Sequence, residues 1–211
     1  MLYLATPSGP EVRAAMQEGL LGCMTTPAQG NRVPDGCLIG ADNGKFGKAW
    51  KGADLWWSWL NRTVERYGAG RFAFAVAPDV PFDAVGTLAE SLPWLERIRR
   101  LGVRPAFAAQ NGSENGLIPW DALEGGCLFI GGDDEWKDGP ESAGLIRQAR
   151  ARGLWVHEGR VNTWWRLEGA QRRGCDSIDG TTLAFGAARN LPQLLRWLET
   201  LRPRGVQEAL L

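Results

Sequence analysis

The chain has 211 residues, 44% hydrophobic and 23% charged, which is enough apolar mass for one large domain or two small ones. Its 24 basic and 24 acidic residues cancel, which argues against a protein that coats nucleic acid. No run of about 18 apolar residues occurs, so no membrane span is expected.

The first residues, MLYLATPSGPE, lack the basic flank and apolar stretch of a signal peptide. Cys23, Cys37, Cys127 and Cys175 show no paired metal-type spacing, and they read as reduced, buried small hydrophobes of a cytoplasmic protein. His157 is the only histidine. That excludes a histidine-rich zinc site and confines any Ser–His relay to residue 157.

In chain order, short apolar runs recur at Leu2–Ala5, Leu20–Met24, Cys37–Ala41, Phe72–Ala77, Pro105–Ala109, Cys127–Ile130, Leu154–His157 and Cys175–Ile178. They alternate little, which suits strands buried on both faces. Helical spacing appears in 83–100, where Val85, Leu88, Leu92, Leu95 and Ile98 form a stripe. It appears again in 140–152, which opens on Pro140 and stops at Gly153. A third helix is predicted over 190–202, with Asn190 as cap, Pro192 in the first turn and Pro203 as stop. The stretches 25–36 and 111–118 show no helical pattern. Eight strands alternating with helices predict a single-domain (βα)8 barrel over 1–211, small for that fold, with some helices short or missing.

Chemistry in such a barrel sits at the carboxyl ends of the strands. The residues that follow the apolar runs are Asp42, Asp79, Gln110, then Gly131, Gly132 and Asp133, then Glu158 and Arg160, and finally Asp179. Without a histidine among them, this is carboxylate chemistry: one aspartate as nucleophile, another as general acid or base. Gln110 and the Gly131–Gly132 amides are read as donors for a planar polar ligand. The loop with Lys45, Lys48 and Lys51, interleaved with Phe46 and Trp50, is read as a phosphate-holding surface.

Five of these segments, in order, resemble elements of the tRNA-guanine transglycosylase superfamily, and within it the short enzymes that insert 7-deazaguanines into DNA. They are "ADNGKF", "APDVP", "AAQNG", "FIGGDDEW" and "GCDSIDGT". The resemblance implies Asp179 as nucleophile and Asp42 as general base. It implies Asp79, Gln110, Gly131 and Gly132 as base-binding residues and Asp176 as structural; Arg160 is read separately, with the three lysines, as a substrate-binding residue that holds phosphate. Nothing after Asp179 matches that family's Cys-x-Cys-x-x-Cys…His zinc site, and Asn43 stands where the family has serine.

The implied activity is a glycosyltransferase that exchanges guanine in DNA for a 7-deazaguanine through a glycosyl-aspartate. It would need no metal or cofactor, and its partners would be DNA, the free deazaguanine base and a possible partner protein. The alternatives are the same barrel acting on RNA, a barrel hydrolase that uses paired carboxylates on a sugar, and an inactive DNA-binding barrel.

Overall fold

The structure, a computed structural model, describes residues 1–47 and 50–201. Its elements are β1 (Leu2–Ala5), α1 (Pro10–Gln17), β2 (Gly22–Thr25), β3 (Ile39–Ala41), α2 (Ala53–Tyr67), β4 (Phe72–Val76) and α3 (Ala84–Arg100). There follow β5 (Pro105–Ala109), β6 (Cys127–Ile130), α4 (Asp134–Asp138), α5 (Pro140–Ala151), β7 (Trp155–Glu158), α6 (Trp164–Arg173), β8 (Ser177–Asp179) and α7 (Ala187–Thr200). Each strand pairs in parallel with the next, and β8 closes on β1 with Leu2 opposite Ser177 and Leu4 opposite Asp179. This is the eight-stranded (βα)8 barrel expected from the alternating runs.

Alternation along each strand divides the core in two. Leu4, Met24, Phe74, Val76, Ala106, Ala108 and Cys127 fill the lumen, with Phe129 and Trp155 packed against them. The opposite faces, such as Tyr3, Ile39, Phe107, Leu128 and Val156, pack against the helices. The lumen is narrow enough to demand glycine. A Cβ at Gly22 would lie 2.4 Å from Leu4 Cδ2, and one at Gly40 would lie 2.7 Å from Leu4 Cδ1.

Four helices carry no stripe that the sequence reading detected. α1 has only Val12, Ala15 and Met16 buried, and α4 is 5 residues long, too short for periodicity. In α6 only Leu167, Gly169 and Ala170 are buried. α2 buries Trp56, Leu60, Thr63 and Val64, an i, i+4, i+7, i+8 face in which tryptophan and threonine stand in for aliphatic residues.

The last helix begins earlier than predicted. Gly186 is its N-cap, so Asn190 lies inside the helix, where its Nδ2 donates to the Thr182 carbonyl at 2.7 Å. Pro192 is also inside it, and the predicted stop at Pro203 lies outside the described residues.

Among the described residues, no helix is long and apolar enough to cross a membrane. The four cysteines are buried and unbridged.

Candidate active site

The strand ends converge on a cavity of about 140 Å³. Asp42, Asp79, Gln110, Gly131, Gly132, Arg160 and Asp179 all line it, as do Phe46 and Phe82. Asp42 follows β3 directly, and its backbone N–H donates to the Thr25 carbonyl at 2.9 Å. Burial, then the negative charges of Asp179 and Asp79, push its carboxyl up to about 7.

Asp79 is buried, and burial raises it also. Its two oxygens accept from Asn43 Nδ2 at 2.9 Å and Gln110 Nε2 at 2.8 Å. A carboxylate offers about four lone-pair sites, so acceptor capacity remains toward the cavity.

Gln110 and the glycine pair differ from their expected role. Gln110 Oε1 accepts the N–H groups of Phe82 (3.0 Å) and Gly132 (2.9 Å), while its amide donates to Asp79. Gly131 N–H donates to the Ala109 carbonyl at 2.9 Å. Both glycine N–H groups and one hydrogen of the Gln110 amide are committed within the protein. Their work is to hold the rim, and glycine is required there for space. A Cβ on Gly131 would meet Gln110 Nε2 at 2.8 Å, and one on Gly132 would meet Trp136 at 2.5 Å.

Phe82 and Arg160 are the only non-glycine residues with positive φ among those described, at 66° and 60°. Both sit at the cavity mouth. Each directs its backbone N–H onto a site side chain: Phe82 onto Gln110, and Arg160 onto Asp179 Oδ1 at 2.9 Å. Such conformations cost roughly 1–3 kcal/mol each and cluster at functional sites. The exposed rings of Phe46 and Phe82 stand edge to face at 6.0 Å. The Arg160 guanidinium lies over them at 4.7 and 5.9 Å and bonds the Gly132 carbonyl.

Asp179 ends β8, and its second oxygen lies 3.0 Å from His157 Nε2. His157 is fully buried in the lumen between Phe74 and Phe129, and its Nδ1 is 2.8 Å from Ser177 Oγ. The sequence reading missed His157 as a site residue because it scanned the residue after each run, whereas this ring points inward two positions before the rim. Its period-2 relation to Gly159 was the available signal.

The other strand-end acids serve the frame. Glu158 points outward and receives Arg173 at 2.7 Å. Asp133 caps α4 through Trp136 N–H at 2.8 Å. Asp176 binds Arg150 at 2.8 and 2.9 Å and the Val156 N–H at 2.8 Å.

Of the described lysines of the loop, Lys45 acts by its charge on Asp79 at this cavity. Lys45 pairs with Glu90, with Trp50 at 5.2 Å, and Lys51 lines a neighbouring cavity. Lys48 lies outside the described residues. Among the described residues, no three His, Cys, Asp or Glu side chains are grouped to hold a metal ion.

No family model matches the chain, and no curated protein matches it. Solved structures similar to it include a Bacillus subtilis protein, YkuI, with an EAL domain, bound to c-di-GMP and calcium. Identity to it is 18% over 78% of this chain and 43% of that one, with a TM-score of 0.49. The PaMucR phosphodiesterase bound to c-di-GMP is 18% identical over 70% of this chain and 60% of that one, with a TM-score of 0.45. An Agrobacterium tumefaciens protein assigned as a glycerophosphoryl diester phosphodiesterase is 12% identical over 75% of this chain and 60% of that one, at 0.45. The chain thus spans 43% to 60% of their lengths, and the likeness concerns the barrel alone.

These findings correct three expectations: membership of the transglycosylase superfamily, base exchange in DNA, and the glycosyltransferase class. Two of the similar structures carry phosphodiesterase names and the third holds c-di-GMP as substrate. The physical reason is that short strand-end motifs also serve barrel architecture. A carboxylate or amide ties the loop N–H groups, and glycine admits the tight rim, as Gln110, Gly131 and Gly132 show.

Proposed function

We propose that the chain is an acid–base hydrolase that cleaves a phosphodiester of a guanine-type nucleotide. The observation that carries this reading is the unlike setting of two carboxylates in one cavity. Asp42 is pushed up to about 7 and so holds its proton near neutrality. Asp179 is fixed as an acceptor by His157 Nε2 and the Arg160 N–H. A carboxyl that keeps its proton beside one held as an acceptor can divide with it the roles of acid and base.

Three acids would repel an anion if all were bare. Here Asp42 keeps its proton about half the time at neutral pH, Asp79 is met by Asn43 and Gln110, and Arg160 supplies positive charge. A guanidinium suits a phosphate in two-point geometry.

Asp179 takes a proton from water, whose oxygen forms the new bond to phosphorus. The bond from phosphorus to the leaving oxygen breaks, and Asp42 gives that oxygen its proton. The products are a phosphomonoester and an alcohol.

For the base, Asp79 presents acceptors to the ring N–H and exocyclic amine of a guanine edge, and Phe46 and Phe82 flank the ring. A DNA strand as the source of the phosphodiester belongs to the same proposal, with Lys51 beyond the mouth as a phosphate contact.

The test is incubation with guanosine- and adenosine-bearing dinucleotides, a short DNA strand and a glycerol phosphodiester, with products separated by ion-pair chromatography. Phosphomonoester should be released from the guanosine-bearing substrates first. No release from any of them, by folded protein, overturns the reading.

A further inference from the structure

We propose that Trp155, Ser177 and His157 form a one-way chain of hydrogen bonds through the barrel lumen, which sets His157 as the neutral tautomer protonated on Nε2 and makes it a positioning residue for Asp179. The tautomer follows from the lumen alone. Only its consequence for catalysis rests on the proposed hydrolase.

Direction comes from what each group can donate. An indole N–H is a donor with no acceptor. Trp155 Nε1 lies 2.8 Å from Ser177 Oγ, so the hydroxyl accepts there. The hydroxyl's single proton is then free for its other near neighbour, His157 Nδ1, also at 2.8 Å. No other acceptor bonds Oγ among the described residues, so Nδ1 presents its lone pair, which leaves the ring proton on Nε2, 3.0 Å from Asp179 Oδ2.

The strand register makes this arrangement possible. His157 pairs with Ser177 across β7 and β8, and Trp155 and Asp179 are the inward residues one step below and above.

The surroundings oppose any other arrangement. The ring is fully buried, with the Phe74 centroid at 4.8 Å and that of Phe129 at 4.6 Å. The ionisable groups facing it are Asp179 and the Cys127 thiol, which its backbone N–H meets, and Asp42 acts on Asp179 from across the cavity. At the floor, Arg104 lies over the Trp155 ring at 5.2 Å, closing the chain away from the mouth.

Asp179 is thereby held at both oxygens, by a side-chain N–H on one and the Arg160 backbone N–H on the other. A base held so cannot swing away from the water it must deprotonate. His157 orients it, and its far nitrogen is already occupied, so the imidazole does not pass protons through the barrel.

His157 is the sole histidine, so long-range ¹H–¹⁵N correlation on histidine-labelled protein reads this ring without assignment. At neutral pH the full chain should show one protonated nitrogen, Nε2, and one unprotonated nitrogen, Nδ1. Ser177→Ala removes the donor to Nδ1 and should abolish that single-tautomer signature, giving mixed tautomers or an imidazolium. A wild-type ring protonated on Nδ1, or on both nitrogens, overturns the proposal, as does a Ser177→Ala spectrum identical to wild type. If that variant fails to fold, the wild-type spectrum alone still decides. The expected tautomer without any phosphodiester cleavage would overturn the hydrolase and leave this inference standing.

Discussion

His157 and Asp179 meet 3.0 Å apart at the boundary between the barrel's apolar lumen and its mouth, the imidazole fully buried and the carboxylate at the cavity wall. His157→Phe keeps the lumen filled and removes the N–H from Asp179. Turnover should fall by roughly 10²–10⁴-fold, the range of a disabled acid–base partner, with little change in KM. Steady-state kinetics check this, and an unchanged kcat would confine the histidine to packing.

Asp42 gives the pH dependence. As the proposed proton donor, it should give a rate that falls as pH rises through about 7. In Asp42→Asn the residual rate should lack that limb.

The same residue links pH to stability. Its carboxyl is raised from 3.8 to about 7 in the folded chain. Between those values the folded state keeps a proton that the unfolded state has released, so stability declines as pH rises across that window. Asp42→Asn should therefore raise the unfolding temperature at pH about 8, a stabilisation of up to about 4 kcal/mol for a rise of about three pH units at ~1.4 kcal/mol per unit, and change little near pH 4. Thermal unfolding at both pH values checks the sign.

Much of the fold was legible, because buried parallel strands leave continuous apolar runs. Leu2–Ala5, Pro105–Ala109 and Cys127–Ile130 are strands with the predicted limits, and Asp42, Asp79 and Asp179 do share one cavity. The rest turned on facts that no spacing carries. Gln110 looks like a ligand amide in sequence, yet three groups of the protein, the Phe82 and Gly132 N–H and the Asp79 carboxylate, bond its side chain once the loops close. Phe82 and Arg160 reveal their role through a left-handed backbone, which their side chains do not announce. The helix α2 was hidden because Trp56 and Thr63 occupy positions where aliphatic residues signal a stripe.

Asp79→Asn sets an amide donor against the donors of a guanine edge. Affinity for guanosine monophosphate should drop by roughly 1–3 kcal/mol, read by calorimetry, while adenosine monophosphate binding should change less. Equal binding of guanosine monophosphate by wild type and variant would remove Asp79 from base recognition.

Phe82→Gly separates strain from function. Glycine accepts φ of 66° freely and the lost ring is half-exposed, so stability should hold or rise by up to about 1 kcal/mol. Nucleotide affinity should fall with the ring gone. A marked loss of stability would show that Phe82 is a packing residue.

Lys137 supports the loop that bears Arg160. It is 1% exposed, and its Nζ donates to the Gly159 carbonyl at 2.8 Å and pairs with Asp134 at 3.1 Å. Behind it, Arg166 and Arg173 bind Asp134, Asp138 and Glu158, so three buried or partly buried cations balance three acids. Lys137→Met leaves the buried Gly159 carbonyl without its donor and should cost about 1–3 kcal/mol, measured by denaturant unfolding.

The central claim is that water attacks phosphorus in a cavity run by Asp42 and Asp179. It is tested most directly by turning over a guanosine-bearing dinucleotide in ¹⁸O-water and weighing the products. The account predicts one ¹⁸O in each phosphomonoester, none in the alcohol, and no labelled product from Asp179→Asn protein that remains folded. Label in the alcohol, or equal labelled phosphomonoester from Asp179→Asn, would contradict it.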